Sequence, residues 1–369
     1  MKIVYISNFN ETSGFSQAAR GYRECLKGEI ETFNLIIEGN DFYNVKNTIE
    51  SIPNEDYCVL WHSNPNVIIN AINGVFDKDN GEKIKELFVN SKMNINITAW
   101  ETDTINDEFL KVYEMLNTSG VIVPTEYNLN CFSKHIDTVA IQHYIEKGSA
   151  RPYLKETLLK KKYILSISQW NHRKNFKDLI YCFMREFRND NINLVLKTYL
   201  SHKDTGSKLI QEEIKKIKKN IEEIFGPIKC GVLVITNYLR EEEKNYLLDN
   251  CIAYAATPLS EGFGLGMAEA ALRGKPVIAP NRGGQIDFLN GKFLFDTYED
   301  YYRGPMGYGY KHDMLVNYPI IKSVCEKMRQ AFNNENVIEN NLRTKQEIRK
   351  SLLEYLEKQQ LRYLRKKRS

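Results

Sequence analysis

The sequence predicts an α/β protein of two doubly wound domains, each a mostly parallel sheet with helices on both faces. Three observations predict it. Short apolar runs alternate with helix-spaced segments along most of the chain, the pattern of parallel strands joined by helical crossovers. The 369 residues are enough for two cores of ordinary size. Between the halves, residues 142–162 carry Gly148, Pro152 and a lysine run without strong periodicity, as a linker does. The domains are placed at 1–150 and 160–315, with helices following over 316–369.

Composition narrows the class. Apolar residues make up 42% and charged residues 27%, as in a soluble globular chain. A net charge of +4 over this length is too small to imply a nucleic-acid binder by itself. The seven cysteines are odd in number and scattered, with neither metal-ligand spacing nor a disulfide framework, which suggests a reducing, cytoplasmic setting. The first ten residues alternate like a strand and are too short an apolar run for a signal peptide. No apolar segment approaches the ~20 residues of a membrane span, so membrane contact is expected to be peripheral at most.

In the first half, strands are predicted at 2–6, 32–37, 57–61, 95–100, 120–124 and 138–141. A polar loop with Gly14 follows the first, and a helix over 16–26 has Ser16 as its expected N-cap. Ligands of such sheets bind beyond the carboxyl ends of the strands. His62, the stretch Trp100-Glu101-Thr102-Asp103, and Thr125 stand at such ends. His62 could bind a substrate or move a proton, or be a hydrogen-bonded structural histidine. Glu101 and Asp103 could orient a hydroxyl, or serve as charges ahead of a helix over 107–116. Asp77-Lys78-Asp79 matches a D-x-D metal motif, but its surroundings read better as a polar turn.

The second half begins with a strand at 163–168 that leads into Gln169-Trp170-Asn171-His172-Arg173-Lys174-Asn175 and a helix over 176–187. A basic pair at a strand end before a helix suits phosphate binding; two solvated side chains are the alternative. Strands at 193–198 and 231–236 flank a helix over 208–224, and another helix starts near Glu241. The most informative stretch is 257–287. It follows a strand at 252–256, turns through Pro258 to Gly264, and shows helical spacing in Leu265, Ala268, Glu269 and Leu272. Glycines let backbone amides approach an anion closely, and the helix adds its positive end. Such a site suits a diphosphate. Glu261 and Glu269 accept from hydroxyl pairs but repel phosphate, which places them on sugar and ribose hydroxyls either side of it.

This run resembles the E-x(7)-E signature of the retaining glycosyltransferases of the GT-B fold called family four, together with that family's G-x-P-V-I and paired-glycine segments at Gly274–Ile278 and Gly283-Gly284. The resemblance implies two Rossmann-like domains facing a central cleft, the first binding acceptor and the second a nucleotide sugar. It implies that Glu261 lies by the transferred sugar, that Phe263, Gly264 and Leu265 offer backbone to the diphosphate, and that Glu269 holds the ribose. The family's G-R-x(4)-K-G motif is met in part: Lys174 matches the lysine, Asn175 stands for the glycine, Gln169 stands at the arginine, and Arg173 could supply the missing charge. Asp287 replaces the glutamate that usually follows the paired glycines.

Further implications are weaker in sequence. Gly14 lies in a loop similar to the one that closes over sugar and phosphates. Tyr238 and Leu239 resemble the hairpin around the base, and Glu101 and Asp103 fall in a W-E-x-D segment of some members. His62, Glu101 and Asp103 are thus acceptor-side candidates. The implied activity is metal-independent, retaining transfer of a hexose-type sugar from a UDP or GDP sugar to a glycan or glycoconjugate hydroxyl, with no cofactor. The resemblance also implies that the last helices cross back to the first domain. The Tyr/Gly-rich stretch after Asp296 reads as an acceptor loop or a packed surface loop, with a helix over 318–332 and another from 340. The basic C-terminal run could touch an anionic membrane or nucleic acid, or be solvated. A viral-type DNA glycosyltransferase and a non-catalytic nucleotide-sugar binder remain the alternative functions.

Overall fold

The computed structural model describes residues 2–9, 13–34, 53–75, 78–152, 160–200, 206–307 and 309–367, with no side-chain description at 31–34 and 80. The chain divides into two compact units, Met1–Ile145 with Arg343–Ser369, and Glu146–Leu342. The dividing point at Arg343 assigns 316–342 to the second unit, so only the last helix joins the first.

Unit 1 contains β1 (Lys2–Ser7), α1 (Gly14–Cys25), β2 (Ile30–Asn34), β3 (Tyr57–His62), α2 (Pro65–Ile72), α3 (Lys78–Asn90), β4 (Met93–Ile97), α4 (Asp107–Met115), β5 (Thr118–Val123), α5 (Glu126–Phe132) and β6 (Thr138–Ala140). The strands lie in the order β2-β1-β3-β4-β5-β6 and every pairing is parallel. β3 is buried along its whole length, as a strand covered on both faces must be. The closing helix, Lys345–Lys366, starts on a capping box of Thr344 and Glu347. Ile348, Leu352, Tyr355 and Leu356 enter the same core as Tyr5, Leu60, Ile95 and Ile122. That helix is further held by Lys345 to Glu24 at 2.6 Å and Arg349 to Glu29 at 2.7 Å.

Unit 2 contains β7 (Tyr163–Ile167), α6 (Phe176–Glu186), β8 (Asn193–Lys197), α7 (Ser207–Phe225), β9 (Gly231–Ile235), α8 (Glu241–Asn250), β10 (Ala253–Ala255), α9 (Leu265–Ala271), β11 (Val277–Pro280), a 3-10 turn at Gly284–Asp287, β12 (Leu294–Phe295), β13 (Thr297–Tyr301), β14 (Leu315–Pro319) and α10 (Ile321–Phe332). Its parallel sheet runs β12-β11-β10-β7-β8-β9. This is the doubly wound order in which the chain reverses direction between the first and fourth strands, here β7 and β10. The loops leaving those two neighbouring strands diverge to opposite faces and leave a crevice at their carboxyl ends.

Two expectations are corrected. The first helix begins at Gly14, two residues earlier than expected, because Ser13 rather than Ser16 caps it: the Ser13 hydroxyl accepts the Ser16 amide at 3.3 Å. The expected helix over 318–332 is two elements. Tyr318 lies in β14, paired with Tyr298, and Pro319 ends the strand before α10 starts. The Tyr/Gly-rich stretch is therefore framed by an antiparallel hairpin, packed through Tyr302 and Val316 against Leu259. The seven cysteines are buried free thiols. Among the described residues, no helix is long and apolar enough to cross a membrane.

Candidate functional site

The crevice of unit 2 gathers the residues on the two diverging loops. The turn after β7 closes with Asn175 in the left-handed region, φ 51° and ψ 47°. That conformation is free to glycine and tolerated by asparagine, which explains why Asn175 can stand at a glycine position. Its carbonyl accepts the Thr257 hydroxyl at 2.9 Å, and the Leu259 amide donates to Arg173 O at 2.7 Å. The β7 and β10 loops are thereby tied together, and the side chains of Arg173 and Lys174 converge on Glu261.

Glu261 is 8% exposed and accepts from Lys174 Nζ; Arg173 Nη1 lies 3.4 Å from the same oxygen and donates to Ser260 O at 2.7 Å. Burial alone would raise the carboxyl pKa. The charges of Lys174 and Arg173 and their hydrogen bonds outweigh it, and the pKa falls below the ordinary value. Glu261 is thus an ionised carboxylate held between two cations. Removing Glu261 would take from both buried cations the carboxylate they share, at a cost of ~3–5 kcal/mol. Gln169 takes no part in this cluster: it is exposed and donates to Leu200 O at 3.0 Å. Arg173 is the guanidinium that reaches the acid.

Beyond Glu261, Gly264 turns the chain into α9 at φ 92° and ψ 62°. Gly266, inside α9, allows Tyr254 to come close, since a Cβ there would stand 2.4 Å from the phenol oxygen. That oxygen donates to Ile167 O at 2.9 Å and accepts the Ile167 amide at 3.1 Å, which fixes the end of β7. Phe263 is buried on Phe288 with ring centroids 5.0 Å apart. The paired glycines close the far side: Gly283 has φ 114°, and the Gly284 amide donates to Glu261 O at 2.8 Å. Asp287 ends the 3-10 turn that follows.

Glu269 is 6% exposed and pairs with Lys244 Nζ at 2.7 Å. Lys244 also meets Glu241 at 2.8 Å. Burial works against the lysine's charge, but the two carboxylates prevail and raise its pKa. Behind α9, Arg273 donates to Glu269 O at 2.9 Å, to Asn245 Oδ1 at 2.6 Å and to Asp249 at 3.0 Å. Lys244, Asn245 and Arg273 were not singled out in the sequence. Their signal is slight, because in a run of E-E-E-K-N a lysine three residues after a glutamate looks like a surface pair. Of the two base-side candidates, Tyr238 is 69% exposed and Leu239 is buried.

In unit 1, His62 ends β3 next to β1, where that sheet also reverses. It is buried, with Nδ1 at 2.8 Å from the Tyr5 hydroxyl and His143 stacked at 6.1 Å. Burial, with the neighbouring His143, holds its pKa well below the ordinary histidine value. Phe15, beside Gly14 in the first turn of α1, meets the His62 ring edge-on at 6.0 Å. Glu101 and Asp103 are half-buried in the loop after β4. That loop is fixed by Trp100, whose Nε1 donates to Thr102 Oγ1 at 2.7 Å and Thr104 O at 2.8 Å, and by Tyr127 donating to Glu101 O at 3.0 Å. Asp79 lies in the first turn of α3, while Asp77 lies outside the described residues. No group of three or more metal-ligating side chains occurs among the described residues.

Comparison with known proteins gives a partial family match and a fold. Residues 154–300 match the model of the glycosyl transferases group 1. A curated relative, the alpha-1,3/1,6-mannosyltransferase ALG2 of Dictyostelium discoideum, is 33% identical over 137 residues, which are 34% of this chain and 31% of the relative. The match thus spans about a third of the relative's length. Among solved structures, the trehalose-6-phosphate synthase OtsA has a TM-score of 0.59 at 12% identity, over 97% of this chain and 96% of that one. An alpha,alpha-trehalose-phosphate synthase (UDP-forming) from Burkholderia xenovorans in complex with glucose-6-phosphate has 0.58 at 12%, covering 100% of each chain. HepE of Anabaena in complex with UDP has 0.54 at 15%, over 97% of this chain and 100% of that one. At these identities the likeness carries the fold. The chain thus has the GT-B fold, and its residues 154–300 are similar to the glycosyl transferases group 1.

Proposed function

We propose that the protein is a glycosyltransferase that moves a hexose-type sugar from a nucleoside diphosphate sugar to an acceptor hydroxyl of a glycan or glycoconjugate, with retention of configuration. The observation that carries this reading is the convergence of Arg173 and Lys174 on buried Glu261 at the reversal point of a sheet in the region similar to the glycosyl transferases group 1. Without donor, the two cations neutralise Glu261. When a diphosphate enters, they meet its oxygens, and Glu261 turns to the sugar hydroxyls.

As the bond from the anomeric carbon to the diphosphate breaks, negative charge grows on the leaving oxygen. Lys174, Arg173 and the amides of Phe263, Gly264 and Leu265 stabilise that charge in the place a metal ion would otherwise take. The acceptor oxygen attacks the anomeric carbon from the side the diphosphate is leaving, and its proton passes to the departing phosphate oxygen. Retention follows because attack and departure share one face. Glu269 takes the ribose, and UDP or GDP sugars are the donors to be tried first. His62, Glu101 and Asp103, at strand ends of unit 1, are the residues to be tested for the acceptor.

Thermal stabilisation and donor hydrolysis across UDP, GDP, ADP and CMP sugars, with Glu269→Ala alongside, test the reading. One nucleotide sugar should stabilise the wild type, fail to stabilise the variant, and be slowly hydrolysed. Stabilisation without turnover in the presence of any acceptor would leave a binding protein, and no stabilisation by any donor would end the proposal.

A further inference from the structure

Glu269 is held more closely than a ribose-binding carboxylate on a helix surface requires. Its side chain is 8% exposed and that of Lys244 13%. Lys244 reaches it from α8, a different helix, at 2.7 Å, and keeps Glu241 at 2.8 Å. From the other side, Arg273, with a side chain 1% exposed, fixes the peptide carbonyl of the same residue at 2.9 Å. A lysine that served only a surface pair with Glu241 would keep its ammonium in water. Burying it loses hydration and rotamer freedom, which its pairs with Glu269 and Glu241 offset, and only the first of these carboxylates is buried.

A carboxylate that accepts from two hydroxyls at once needs both of its oxygens held in one orientation. Resting on the donor reading above, we propose that Lys244 is a positioning residue for the ribose subsite: it holds the Glu269 carboxylate in one rotamer for the ribose hydroxyls. Through Glu241, the first residue of α8, it also links this subsite to the helix that follows the Tyr238-Leu239 loop. No role in bond breaking is assigned to it.

The test is ribose discrimination. Binding of UDP and GDP, and of their 2′-deoxyribose counterparts, is measured by calorimetry on the full chain as wild type, Glu269→Ala, Lys244→Met and Lys244→Arg. Wild type should prefer the ribose form of its nucleotide by about tenfold or more, the scale of a hydrogen bond to a charged group. Glu269→Ala and Lys244→Met should both bring that ratio within about threefold, and Lys244→Arg should restore most of it. A Lys244→Met protein that keeps the wild-type ratio, while Glu269→Ala loses it, would overturn the role of Lys244 and leave the donor reading standing. A Glu269→Ala protein that keeps the ratio would remove the ribose assignment itself, and this inference with it. Failure of every nucleotide to bind wild type would overturn both. If Lys244→Met fails to fold, Lys244→Gln, which keeps a donor without the charge, is read in the same way.

Discussion

Replacement of His143 by glutamine should make unit 1 less sensitive to acid. His143 is 6% exposed, meets Tyr22 edge-on at 5.4 Å and stacks on His62 at 6.1 Å. Burial lowers its pKa from 6.5 to about 3. The unfolded chain therefore takes up a proton that the folded unit refuses. Because the folded value is depressed, the stability is whole above pH 6.5 and is lost as the pH falls towards about 3. Between about pH 7 and pH 5 the unfolded histidine gains most of its proton while the folded one gains almost none. That is about 1.5 pH units of linkage at ~1.4 kcal/mol each, or ~2 kcal/mol. Hydrogen exchange of the β1 and β3 amides at both pH values gives the free energy of opening. The loss on acidification should be ~2 kcal/mol smaller in His143→Gln than in wild type. Equal losses in the two proteins would mean that His143 takes up its proton alike in the folded and unfolded chain, and would refute the reasoning.

Two further outcomes are expected in unit 2. Asn175→Ala should lower the thermal midpoint more than Asn175→Gly, by the equivalent of ~1 kcal/mol, because only glycine and asparagine accept the left-handed turn; equal midpoints would show that the turn relaxes. Gly266→Ala should cost ~1–3 kcal/mol through the approach of its Cβ to Tyr254, and the penalty should shrink in a Tyr254→Phe background, where the crowding oxygen is gone. An unchanged penalty there would place the strain elsewhere.

Much of the fold was legible because burial on both faces leaves a mark that periodicity detects. The strands of both sheets appear as apolar runs, and the stretch from Thr257 to Asp287 carries its turn chemistry in its glycines. The hairpin at β13 and β14 was not legible: its tyrosines alternate around a Gly/Pro turn, and Tyr318 borrowed the periodicity of the helix that follows. In the site, residues close in sequence to the glycines were found. The contacts themselves depend on tertiary approach. Arg173 turns to Glu261 across two strands far apart in sequence, so spacing offered it as a substitute for Gln169 and geometry made the contact. Lys244 escaped, since it lies 25 residues from Glu269 and its local surroundings describe a solvated helix start.

The central claim, that Lys174 and Glu261 belong to the centre at which a nucleotide sugar is broken, is tested most directly by nucleotide release. Once the donor is known, release is followed at saturating donor in wild type, Lys174→Met and Glu261→Ala, with donor binding measured in parallel. Both variants should bind detectably and turn over ~10²–10³-fold more slowly, the scale seen when one charge-stabilising donor is removed from a reaction centre. Wild-type rates in both variants would contradict the account.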